Sequence, residues 1–73
     1  MRFNNTSKTL TAVNINSRKV LVKIFNSQGR LVHKVQLMAK SIKTIPLALA
    51  NGVYMLDVSI YGKKLFAQRF VIF

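Results

Sequence analysis

Acid–base chemistry needs titratable side chains in pairs, and this chain has one carboxylate, Asp57, and one histidine, His33. A catalytic acid and base work because two groups are held at different pKa values. Asp57 falls on the outward face of an extended segment, where a surface ion pair with a nearby lysine accounts for it. His33 lies alone in a second extended segment and reads as a polar surface residue. No serine or threonine has a His/Asp pair to activate it. With no cysteine in the chain, thiolate metal sites and disulfides are both excluded. The glycines Gly29, Gly52 and Gly62 are too scattered to form a phosphate-cradling loop. The residue types point away from catalysis, and no cofactor or metal is expected.

Charge suggests binding instead. Twelve Lys and Arg face the single acid, a formal +11 at neutral pH. A balance of this kind raises nucleic acid, anionic lipid and polysaccharide as partners. The cations, however, are spread from Arg2 to Arg69 and never run longer than the pairs Arg18-Lys19 and Lys63-Lys64. The aromatics Phe25, Tyr54, Tyr61, Phe66, Phe70 and Phe73 interleave with them, as on sheets that stack single-stranded bases. Tyr54 and Phe70 fall on apolar strand faces and read as core, which leaves Phe25, Tyr61 and Phe73 as candidates for exposure. A basic β-module for nucleic acid or another polyanion is the alternative reading, beside a generic secreted interaction domain. Dispersed charge is the mark of a solvated surface, so nucleic acid is not the expected partner.

The elements that carry these residues read as strands. Val20 to Phe25 alternates with Val20, Val22 and Ile24 on one face. Asn26-Ser27-Gln28-Gly29 has the composition of a type I turn, with Gly29 taking the left-handed position. Arg30 to Leu37 returns from it. Leu31 and Val32 are out of phase with Val35 and Leu37, so a bulge is expected there. Ile42 to Leu47 is a short extended piece whose Pro46 belongs at an edge or a strand end. Leu47 to Asn51 could make one helical turn before Gly52 stops it. Val53 to Ile60 is the clearest strand, with Tyr54, Leu56, Val58 and Ile60 facing inward. Tyr61-Gly62-Lys63-Lys64 turns the chain into a last strand, Leu65 to Phe73. Lys8 to Ile15 is a weaker strand, and residues 1–7 are expected to be flexible.

Short strands with turn signals at this spacing predict an all-β fold, an antiparallel sandwich or barrel filling one domain, residues 1–73. The polar stretch Met1 to Leu10 lacks the apolar segment of a signal peptide. Thr44 to Leu56, the longest uncharged stretch, is broken by Pro46 and Gly52 and is too short to span a membrane.

From Val22 onward three blocks in order resemble the type A C-terminal sorting domain of type IX secretion. The first runs Val22-Lys23-Ile24-Phe25-Asn26-Ser27-Gln28-Gly29-Arg30-Leu31-Val32. The second is Ile45-Pro46-Leu47 followed by Leu49 through Gly52-Val53-Tyr54-Met55-Leu56-Asp57-Val58. The third is Gly62-Lys63-Lys64 with Gln68-Arg69-Phe70-Val71-Ile72. The resemblance covers residues 20–73; where the family has a Pro-Asn-Pro-like segment before the first block, this chain has Asn14-Ile15-Asn16.

The resemblance implies an immunoglobulin-like sandwich of six or seven strands. It implies a sorting signal that carries a larger cargo protein through the periplasm to the cell surface, or into secretion. An outer-membrane translocon would recognise it and a cell-surface sortase would remove it. Gly29, Gly52 and Tyr54 would shape the fold, while Arg69, Phe70, Val71, Ile72 and Phe73 would be recognised. The last strand is apolar on both faces and has only Arg69 to protect it. It is therefore either central in a sheet or a sticky edge, and a homodimer through strand edges is expected if it is the latter.

Overall fold

The computed structural model describes residues 1–73, and every element in it is a strand. The strands are β1 (Arg2–Asn4), β2 (Thr9–Asn14), β3 (Val20–Asn26), β4 (Leu31–Leu37), β5 (Ser41–Pro46), β6 (Gly52–Ile60) and β7 (Lys63–Ile72). They form two antiparallel sheets, one of three strands in the order β1-β2-β5 and one of four in the order β4-β3-β6-β7. The chain changes sheet after β2, β4 and β5, the crossed connection of immunoglobulin-like sandwiches.

Alternation decides which side chains meet between the sheets. Leu10, Ala12 and Ile45 come from the smaller sheet; Val20, Val22, Ile24, Leu37, Leu56, Val58 and Ile72 come from the larger one. Each Val, Leu or Ile buried this fully contributes about 1.5–3 kcal/mol. So small a core leaves many apolar side chains outside, among them Ile15, Met38, Ile42 and Phe73.

Turn chemistry sets the registers. The Asn26 carbonyl accepts from the Gly29 N–H at 3.0 Å, while its Oδ1 accepts from the N–H groups of Gln28 and Arg30. Gly29 sits at φ 81°, where a Cβ would be strained. Just beyond, Ile24 pairs with His33 and Phe25 with Leu31, so Val32 is the extra residue of a bulge. This is the phase slip read from Leu31 and Val32. The β6–β7 hairpin turns in two residues, Tyr61 and Gly62, both at positive φ, so Lys63 and Lys64 already belong to β7. A second bulge follows at Leu65, between the pairs Val58–Phe66 and Ser59–Lys64.

Three expectations need correction. Residues 1–7, expected to be flexible, contain β1, which pairs with Thr9 to Thr11 of β2. Lys8 to Ile15 narrows to Thr9–Asn14. No helical turn forms between Leu47 and Asn51. There the Leu47 N–H bonds to the Lys8 carbonyl at 3.0 Å, prolonging the β2–β5 pairing, and its side chain is buried in the core. The few residues left before Gly52 have to cross from one sheet to the other, and a helical turn would shorten that reach.

Candidate functional site

β7 has one neighbour. It pairs with β6 from Gly52–Ile72 to Ile60–Lys63, and no strand follows on its other side. Of the two arrangements open to a strand apolar on both faces, the fold adopts the edge.

Pairing with β6 divides the terminal segment by face. Ile72 and Phe70 lie opposite Gly52 and Tyr54 and turn inward, Ile72 almost fully buried and Phe70 packed against the core. Arg69, Val71 and Phe73 are exposed. Gly52 and Tyr54 therefore support the strand whose outward residues stand clear. Gly52 has φ 158°, a conformation side chains rarely adopt. Tyr54 stacks on Phe70 at 5.8 Å between ring centroids, and Phe70 in turn meets Phe3 of β1 at 5.2 Å. The Tyr54 hydroxyl donates to the Ala50 carbonyl at 2.6 Å, fastening the crossing loop in the manner of a tyrosine corner.

The outer face of the larger sheet carries a shallow concavity lined by Phe25, Gly29, Val53, Met55, Asp57 and Arg69, among others. It brings Gly29 and Arg69, far apart in sequence, to one surface. Asp57 is engaged there by Lys64, with Nζ 3.5 Å from Oδ2, the ion pair expected of it. No group of three or more potential metal ligands occurs in the chain.

The description "Secretion system C-terminal sorting domain" matches residues 3–72. The chain belongs to that family. The match runs from β1 into the last residue of β7, well upstream of the Val20 boundary read from motifs alone. No curated protein and no solved structure matches the chain.

As a sorting domain of type IX secretion, the module marks a larger protein for the cell surface or for release. Its working contact is with the secretion machinery, and its family is not a catalytic one. No helix in it is long and apolar enough to cross a membrane.

Four residues outside the terminal segment brace the fold with no motif to announce their contacts. Phe3 completes the aromatic stack from β1. Asn5 and Lys8, in the β1–β2 turn, reach the end of β7: Asn5 Nδ2 donates to the Val71 carbonyl at 2.9 Å, and the Phe73 N–H donates to Asn5 Oδ1 at 2.9 Å. Lys8 Nζ donates to the Phe73 carbonyl and lies over its ring, 5.9 Å from the centroid. Asn14, the one buried polar residue, donates to the carbonyls of Arg18, Leu37 and Met38, while its Oδ1 accepts from the Asn16 N–H. The Asn14-Ile15-Asn16 segment is thus a polar clasp between the sheets. Only the lone polar inward position in Leu10, Ala12, Asn14 hinted at it.

Proposed function

We propose that the outer-membrane translocon reads this sorting domain at the free edge and outer face of β7, through Arg69, Val71 and Phe73. A cell-surface sortase then removes the module from its cargo. In this reading Phe70 and Ile72 act indirectly, by anchoring the strand, and Gly29, Gly52 and Tyr54 set the frame. The observation that carries the reading is the position of β7: an edge strand with apolar and cationic side chains exposed on one face. Natural sheets shield such edges with charges, prolines or bulges, because an open row of backbone groups recruits another strand. Here Lys63, Lys64 and the bulge at Leu65 guard the start of β7, and beyond them β7 itself supplies only Arg69. Away from the translocon, the same edge takes a second copy of the module.

A photo-crosslinking side chain placed at Val71 of a cargo in transit is expected to capture an outer-membrane translocon subunit. The same probe at Lys34, on the opposite edge strand β4, is expected to capture none. Equal capture at both positions, or capture only at Lys34, would reject β7 as the recognised strand.

A further inference from the structure

The free edge of β7 is not uniformly open. Residues whose backbone groups point at β6 alternate with residues whose groups point away from it. The bonds from Asn5 fix the phase: the Val71 carbonyl and the Phe73 N–H point away from β6. The same alternation places the backbone groups of Ala67 and Arg69 on that outer edge, where no strand of the sheet follows. Asn5 closes the last step. Its single amide gives a donor to residue 71 and an acceptor to residue 73, as one residue of a neighbouring parallel strand would. Lys8 reinforces this from the same turn, with Nζ 3.4 Å from Asn5 Oδ1 and a hydrogen bond to the Phe73 carbonyl.

We infer that Asn5 is a placeholder for a partner strand on the edge of β7, capping Val71 and Phe73 until an incoming extended segment takes over their backbone bonds. This rests on the reading of β7 as the recognised element, and names what docks there. The occupant is an extended polypeptide strand that adds to the sheet, its bonds to Ala67 and Arg69 made first and those to Val71 and Phe73 made as Asn5 leaves. Its side chain opposite Arg69 is acidic, because the edge carries Lys63, Lys64 and Arg69, and the only carboxylate of the chain is already held by Lys64. Asn5 is half-buried, and its bonds to Val71 and Phe73 lie at the surface, so the cap is weak enough to be displaced.

The test compares the unmodified module with Asn5→Ala and Asn5→Asp. Asp keeps an acceptor for the Phe73 N–H but loses the donor to the Val71 carbonyl. In Asn5→Ala the Phe73 amide should exchange its hydrogen about five-fold faster, the equivalent of one hydrogen bond of about 1 kcal/mol. Self-association measured by sedimentation should tighten by a similar factor, with Asn5→Asp between the two and cargo display retained. Unchanged exchange and sedimentation in Asn5→Ala would overturn the inference. Loss of cargo display in a variant that exchanges faster yet stays folded would overturn it too, by making Asn5 part of the recognised surface. The exchange and sedimentation arms do not depend on export. A failure of β7 as the recognised strand, seen by crosslinking, is therefore distinguishable from a failure of the cap.

Discussion

Replacing Asn14 by alanine removes the clasp where the two sheets join, and the cost can be worked from its bonds. The side-chain Nδ2 lies 2.9 Å from the Arg18 carbonyl, 2.9 Å from that of Met38 and 3.3 Å from that of Leu37. Two N–H bonds are thus shared among three acceptors. Oδ1 takes the Asn16 N–H at 3.0 Å. Water can reach Arg18, Met38 and Asn16, which are exposed, and will replace part of what they lose. Leu37 is 1% exposed, so it is the acceptor that water reaches least. The two N–H bonds and the one that Oδ1 accepts are worth about 0.5–1.5 kcal/mol each, for a total of about 2–4 kcal/mol. At about 0.05–0.15 kcal/mol per residue, a chain of 73 residues holds about 4–11 kcal/mol in all. The substitution should therefore consume a large share of the stability. Urea unfolding followed by circular dichroism would show it, as a midpoint lowered by about 2–4 M if the slope is about 1 kcal/mol/M. A loss below about 0.5 kcal/mol would refute the reasoning, because surface substitutions with no structural role fall in that range.

Tyr54→Phe keeps the stacked ring and deletes only the bond to Ala50, so thermal or urea unfolding should report a loss of about 1 kcal/mol. Tyr54→Ala also empties the aromatic stack and should cost about 3–5 kcal/mol, close to unfolding the module outright. Gly29→Ala meets no atom within 4 Å, and its whole effect is the left-handed backbone, so it should lose about 1–2 kcal/mol without moving the neighbouring registers. Two copies pairing at β7 bring like charges together, since each carries +11. Sedimentation should therefore show self-association strengthening between about 0.1 M and about 1 M salt, as the Debye length falls from about 10 Å to about 3 Å.

What the sequence made legible was local. Val20, Val22 and Ile24, and likewise Tyr54, Leu56 and Val58, recur at every second position, and both segments became strands of the larger sheet with those faces inward. The Asn26–Gly29 turn and the slip at Val32 were readable because turn chemistry and phase act over a few residues. β1 escaped because a three-residue strand has too few positions to show a period, and its stability comes from β2 and from Phe3 meeting Phe70. Leu47 to Asn51 misled for a related reason: helix propensity is weak, and the need to cross between sheets overrides it. The division of Arg69 to Phe73 into anchoring and outward residues needed the β6 register, and so did the choice between a central and an edge position for β7. Asn5 lies 66 residues from Val71 and 68 from Phe73, and no local pattern reports a contact of that range.

The central claim, that sorting is read from the outward side of an exposed edge strand, is tested most directly by surface display of a reporter. The reporter carries an export signal at its N-terminus and this module at its C-terminus, in a host with a type IX system. Deleting Arg69 to Phe73 would confound the result, since Ile72 belongs to the core. The informative variant is Arg69→Glu with Val71→Thr and Phe73→Ser, which leaves Phe70 and Ile72 in place. The account predicts a folded module, by circular dichroism and protease resistance, with the reporter stranded in the periplasm. Full display of that folded variant would contradict it.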